Sequence, residues 1–210
     1  MTRDPNLTRR AALALMSASA ATTALPAFAQ DATEGPVVEV MTLGDPDAPI
    51  TMYEYSSFTC PHCKRFHQEV LPLIQKNYID TGKVKLVYRP IYFDRLGLWA
   101  DMIARCGGQM RYFGIGKMIF DKQAEWTQGE TALDIVNNLF AIGRVAGLED
   151  ADMEVCIQDA EMANALVDES TANAEADGIN ATPTFVINGE VFPNQAYEGF
   201  VAKFDALLAE

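Results

Sequence analysis

The sequence predicts an α/β fold, with a mixed central sheet flanked by helices and an all-helical insertion between its strands. Three observations carry this. The stretch from "ITMYEYSSF" to "KVKLVYRPI" reads as strand, helix, strand. Residues 94–177 show helical patterning and no strand pattern. The run "TPTFVINGEVF" then returns to strand character around Asn188-Gly189, a hairpin signal because both turn residues need positive φ. A β-α-β start and a late antiparallel hairpin imply a sheet of mixed direction, and the helices must cover it.

Each element follows from its residues. Residues 30–49 are rich in Pro and Gly and read as a lead-in with one short strand at Val37 to Met41. Ile50 to Tyr55 is aromatic and β-branched, and alternation puts Ile50, Met52 and Glu54 on one face. The next helix opens near Pro61, a favoured first-turn residue, and runs to about Asp80, with Pro72 expected to kink it. The strand that follows closes at Pro90. In the helical block, breaks fall near Gly107-Gly108, Gln128-Gly129 and Gly147. Leu98, Met102 and Cys106 form a stripe there, with Trp99 and Ile103 beside it. The chain ends in an amphipathic helix with Phe200, Val201, Phe204, Leu207 and Leu208 on one side. The expected organisation is therefore one domain from residues 30–93 and 178–210, interrupted by a helical insertion at 94–177.

The first 29 residues read as a signal peptide. Arg9 and Arg10 precede a small-residue apolar stretch that ends in Ala27-Phe28-Ala29, an A-x-A cleavage pattern. The apolar run is too short and too rich in Ala, Ser and Thr to span a bilayer. Thr8-Arg9-Arg10 also matches the start of a twin-arginine signal. Cleavage after Ala29 implies export to the periplasm. It also changes the formal charge from −13 to −15, by removing three arginines and one aspartate. Such acidity argues against nucleic acid and anionic lipid as partners. Ten Asp or Glu fall between Glu149 and Asp177, and no Lys or Arg lies between Val145 and Ala202; this reads as a solvated helical face. Four cysteines in an oxidising compartment favour disulfides.

Cys60-Pro61-His62-Cys63 sits where a strand hands over to a helix. The thiolate is the nucleophile in thiol–disulfide exchange, and the free N–H groups of a helix start stabilise it. Cys63, one turn in, is close enough to bridge and less exposed. That asymmetry suits an attacking Cys60 and a resolving Cys63, with His62 able to add charge and a donor near the sulfur. A stabilised thiolate is also a good leaving group, which makes its disulfide more oxidising. Two other readings compete. A zinc site needs about four ligands, and no second ligand pair at suitable spacing exists, so no metal and no cofactor is expected. A purely structural Cys60–Cys63 bridge closes too short a loop to add much stability. His67 reads as a surface helix residue without a role. Glu54 shares the Ile50/Met52 face, which argues for burial and for a raised pKa suited to relaying protons to Cys63; a carboxylate paired at the sheet margin is the alternative.

"EYSSFTCPHC", the helical block and "ATPTF" before the hairpin together resemble the DsbA family of thioredoxin-fold oxidoreductases, over essentially all of residues 35–210. The resemblance implies a thioredoxin-like fold with a helical insertion. It implies a cis Pro183, with Thr182-Pro183 facing the Cys60–Cys63 pair as the substrate-binding segment. Glu54, six residues before Cys60, matches the family's buried acid. Some members carry an extra cysteine pair in the helical domain. Cys106 and Cys156 each lie on an apolar helical stripe, where two free buried thiols are the alternative to a bridge; export favours the bridge. The implied activity is donation of the Cys60–Cys63 disulfide, through a Cys60 mixed disulfide, to folding exported proteins with free cysteines. A quinone-linked membrane partner resembling DsbB would reoxidise a monomeric enzyme. An isomerase or reductase is one alternative; family isomerases dimerise through an added N-terminal domain, for which residues 30–49 are too few. A non-catalytic, chaperone-like peptide-binding module is the other.

Overall fold

A computed structural model describes residues 35–209; the signal segment, with its cleavage site after Ala29, lies outside them. Five strands form one sheet in the order β1-β3-β2-β4-β5. β2 (Ile50–Ser56) and β3 (Val84–Pro90) pair in parallel, so a crossover must join them. β1 (Met41–Leu43) runs antiparallel to β3, β4 (Thr184–Ile187) antiparallel to β2, and β5 (Glu190–Pro193) antiparallel to β4. The sheet is mixed, as the strand pattern predicts. The first strand lies at Met41–Leu43 rather than Val37–Met41. Its pairing to Leu86–Tyr88 decides its place, and Val37 and Val40 stay exposed.

The crossover is one helical run in four segments: α1 (Pro61–Arg65), a π turn at Phe66–Val70, α2 (Leu71–Ile74) and a second π turn at Gln75–Ile79. Pro72 has no N–H to give. The interruption expected there takes the form of a widened turn just before it, in which the Leu71 N–H reaches the Phe66 carbonyl. Asn188 and Gly189 take φ of 47° and 87°, the two positive values a tight hairpin needs. Asn188 also accepts from the Thr51 N–H through its side chain, at 2.8 Å, which ties the hairpin to the start of β2.

Between β3 and β4 lie α3 (Arg95–Cys106), α4 (Gly108–Asp121), α5 (Gln123–Trp126), α6 (Ala132–Val145), α7 (Asp150–Gln158) and α8 (Ala160–Ala176). The breaks at Gly107-Gly108, Gln128-Gly129 and Gly147 fall where the glycines put them. The break between α7 and α8 is not marked by glycine; Asp159 is extended there and caps α8 by accepting from the Met162 N–H.

Two apolar clusters result. One packs Ile50, Met52, Leu86 and Phe185 of the sheet against Phe66, Ile74 and the Phe200/Phe204 stripe of α9 (Tyr197–Leu208). The other joins the helical block through Ile103, Tyr112, Ile119, Phe120 and Leu139, and includes Phe58, Cys60, Cys63 and Tyr88. Both cysteines of the C-P-H-C motif thus belong to the cluster built by the helices. Cys106 of α3 and Cys156 of α7 form a disulfide.

Candidate active site

The site is built where β2 ends and α1 begins. Cys60 caps α1 in extended conformation, and Pro61 occupies the first turn. Its sulfur accepts from the Cys63 N–H at 3.4 Å, the orphan-donor contact available at a helix start. Both thiols are unbridged. Cys60 is 8% exposed and Cys63 fully buried, which is the asymmetry the spacing predicts.

The helical block holds the loop that presents Cys60. Gln123 of α5 donates its side-chain amide to the carbonyls of Phe58 and Cys60, at 2.7 and 3.0 Å. Thr59 donates to Asp94 at 2.9 Å, while Asp94 also caps α3 through the Gly97 N–H. Two buried or loop-facing polar side chains from the insertion therefore fix a backbone that would otherwise be free. Neither Gln123 nor Asp94 stands out in sequence, because their partners lie 35 to 65 residues away.

Thr182-Pro183 stands opposite. The Thr182–Pro183 peptide bond is cis, and the Cys60 thiol donates to the Thr182 carbonyl at 3.6 Å. Pro183 is buried and Thr182 half-buried. A motif some 120 residues downstream thus meets the first cysteine directly.

The electrostatics separate the two thiols. Cys60 is lowered to about 5, chiefly by the hydrogen bond from the Cys63 thiol. Partial burial opposes this; the Thr182 side chain and the backbone N–H groups of Cys63 and His62 add to it. Cys63 is pushed well above the usual thiol range, first by burial and then by Cys60 itself. The Ser56 hydroxyl beside it works the other way. One sulfur is poised as a thiolate and its neighbour is held as a thiol. His62 contributes through its backbone N–H. Its side chain is exposed and borders a cavity of about 340 Å³ with Phe66, Asn194 and Gln195.

Glu54 is fully buried on the face shared with Ile50 and Met52, opposite Tyr88 and Phe185 in register. Its Oε1 lies 2.7 Å from His67 Nε2. His67 is therefore not a surface residue: it is 7% exposed and stacks on Phe120 at 3.9 Å. The sequence did hold a signal. Cys63, His67 and Leu71 recur at four-residue spacing, so they share a helix face, and two of the three are plainly core residues.

Comparison with known proteins gives concordant results. The thioredoxin family model matches residues 37–206. A Rickettsia bellii protein, named provisionally as a protein-disulfide oxidoreductase, is 28% identical over 81% of this chain and 65% of its own. The chain thus spans a little under two-thirds of the length of the rickettsial relatives it matches. The Bacillus subtilis disulfide bond formation protein D is 29% identical over 73% of this chain and 70% of its own. The crystal structure of Wolbachia pipientis alpha-DsbA1 superposes with a TM-score of 0.76 at 31% identity, covering 83% of this chain and 94% of that one.

Proposed function

The chain belongs to the DsbA-like thioredoxin family, and from that premise we propose that it is an exported thiol:disulfide oxidoreductase that donates the Cys60–Cys63 disulfide to folding proteins. The observation that carries this reading is the split between the two thiols: Cys60 lowered to about 5 and Cys63 raised by burial. In the oxidised enzyme a substrate thiolate attacks Cys60 Sγ. The Cys60–Cys63 bond breaks, and a mixed disulfide to Cys60 forms. A second substrate thiol then attacks the substrate sulfur of that mixed disulfide and releases Cys60, which leaves readily because its thiolate is stabilised. The substrate gains a disulfide and the enzyme retains two electrons.

Thr182-Pro183 supports the reading as the docking segment. Proline offers no N–H at its position, and an extended substrate chain can pair with the backbone of half-buried Thr182 by strand addition. Export and periplasmic location rest on the reading of residues 1–29 as a signal peptide. Reoxidation by a quinone-linked membrane partner similar to DsbB rests on family membership, as does action on exported proteins with free cysteines.

The test is catalysed oxidative refolding of a reduced multi-cysteine protein beside reduction of insulin. The proposal expects stoichiometric oxidation of the reduced substrate by the disulfide form, and Cys60→Ser abolishes it. Efficient insulin reduction with no oxidation would assign a reductase. Binding without any thiol exchange would assign a chaperone-like module.

A further inference from the structure

The buried Glu54–His67 pair lies beneath the motif but touches neither Cys60 nor Thr182-Pro183 in any hydrogen bond of the described residues. The reaction nevertheless needs something there. When a substrate thiolate opens the Cys60–Cys63 bond, the electron pair is left on Cys63 Sγ, in surroundings that strongly disfavour a thiolate. A proton has to arrive at a fully buried sulfur, and the same proton has to leave when the disulfide re-forms.

We propose that His67 is a positioning residue that passes this proton between Glu54 and solvent in the cavity that its ring borders. The inference rests on the oxidoreductase reading for the need and on four observations for the path. Glu54 stands opposite Tyr88 in register on the adjacent strand, and Tyr88 and Cys63 belong to the same buried cluster, so the acid and the buried thiol share one neighbourhood. Glu54 Oε1 is held by His67 Nε2 at 2.7 Å, while Glu54 Oε2 is buried with no hydrogen-bond partner among the described residues. A buried carboxylate oxygen with nothing to satisfy it is costly, and a site of proton exchange is a reason to keep one. The His67 ring sits in the widened turn at Phe66–Val70, packed on Phe120 on one side. It also borders a cavity of about 350 Å³ shared with Pro72, Gln75, Met110, Gly114 and Lys117. Met110 is 99% exposed, so the cavity reaches solvent.

An imidazole can accept a proton on one nitrogen while releasing one from the other. The sequence is balanced. Cys63 takes a proton from Glu54, Glu54 recovers it from His67 Nε2, and His67 is reprotonated by water in the cavity; reoxidation of the pair runs the chain backwards. The titratable groups around His67 are Glu54 from β2, Tyr88 from β3 and, across the cavity on α4, Lys117 with its partner Asp121. Tyr88 stays protonated because burial raises it well above its ordinary value.

The experiment follows reduction of the oxidised full chain by dithiothreitol, using stopped-flow fluorescence of its two tryptophans. This exchange occurs whichever way the enzyme works on proteins, so it tests the relay apart from the proposed activity. His67→Gln keeps a donor for Glu54 but cannot relay. It is expected to slow reduction at least about ten-fold, the lower reach of general acid catalysis, and to alter the pH–rate profile while the Cys60 thiolate titration stays put. His67→Ala joins the cavity to Glu54, and added imidazole should restore its rate saturably. A residue that only fills the core would not be rescued this way. Should both variants fail to fold, Gly114→Leu decides. A Cβ added at Gly114 would meet nothing within 4 Å, and the backbone there has no positive φ. Leucine can therefore be introduced there without a backbone clash, to fill the cavity that Gly114 and His67 both line, and the same slowing is expected. Wild-type rates with unchanged pH profiles in the folded variants would overturn the relay. Loss of protein oxidation with the relay effects intact would overturn the functional reading instead.

Discussion

Cys60 and Cys63 have the same chemistry in the unfolded chain and opposite chemistry in the folded one. The difference is positional: one sulfur receives N–H and S–H donors at a helix start, and the other is sealed under the helical block. Absorbance of the reduced protein at the thiolate band should therefore titrate with a midpoint of about 5; a midpoint near that of a free thiol would sink the proposal. Thr182→Val removes a side-chain donor and should raise the midpoint. His62→Ala leaves the backbone N–H in place and should move it less. At this scale the motif itself was plain in the sequence. The partner of Glu54 was not, because a lone histidine on a helix gives no sign of which strand it will meet.

The insertion acts as a scaffold for the motif, through Gln123 and Asp94, and it has its own internal braces. Buried Asp101 of α3 accepts from Tyr92 at 2.6 Å, from Arg105 at 2.7 Å and from Tyr112, so a charge that would be costly alone is fully paired. Cys106–Cys156 joins α3 to α7 across 50 residues. Replacing both cysteines by alanine should cost about 4 kcal/mol on a chain-entropy basis, read as a lower denaturant midpoint, and unreduced peptide maps should show the two linked. Gly143 of α6 marks another close approach: a Cβ there would meet Met153 Sδ at 2.2 Å. Gly143→Ala should destabilise by about 1–3 kcal/mol through overpacking, and denaturant unfolding at unchanged slope would measure it. Glycine breaks made most of these helices legible. The boundary at Asp159 was hidden because a capping aspartate looks like any other acid in that acidic stretch.

For the whole molecule, the stabilised Cys60 thiolate links redox state to pH. Its folded value is lowered to about 5, against about 8.5 for an unfolded thiol. The stabilisation of the reduced form is therefore complete above about 8.5 and lost as pH falls through 5. Cys63 is protonated in both states up to about pH 7.5; nearer 8.5 its unfolded thiol begins to ionise while the buried one does not, which offsets part of the gain. Melting the oxidised and reduced proteins side by side should show the reduced form gaining relative stability from pH 5 to pH 8. A gap independent of pH would contradict the thiolate assignment. What the sequence determined alone is everything that local patterning encodes: strand alternation, helix breaks at glycine, the Asn188-Gly189 turn and the C-P-H-C spacing at a strand-to-helix junction. Such signals depend on neighbours a few residues apart, so they are readable in one dimension. Tertiary structure decided what depends on distant partners: Thr182 against Cys60, Gln123 holding the loop, His67 turned inward on Glu54, and the pairing of Met41–Leu43 that set the first strand. Burial and charge pairing act through space, and only the folded chain says which residues share it.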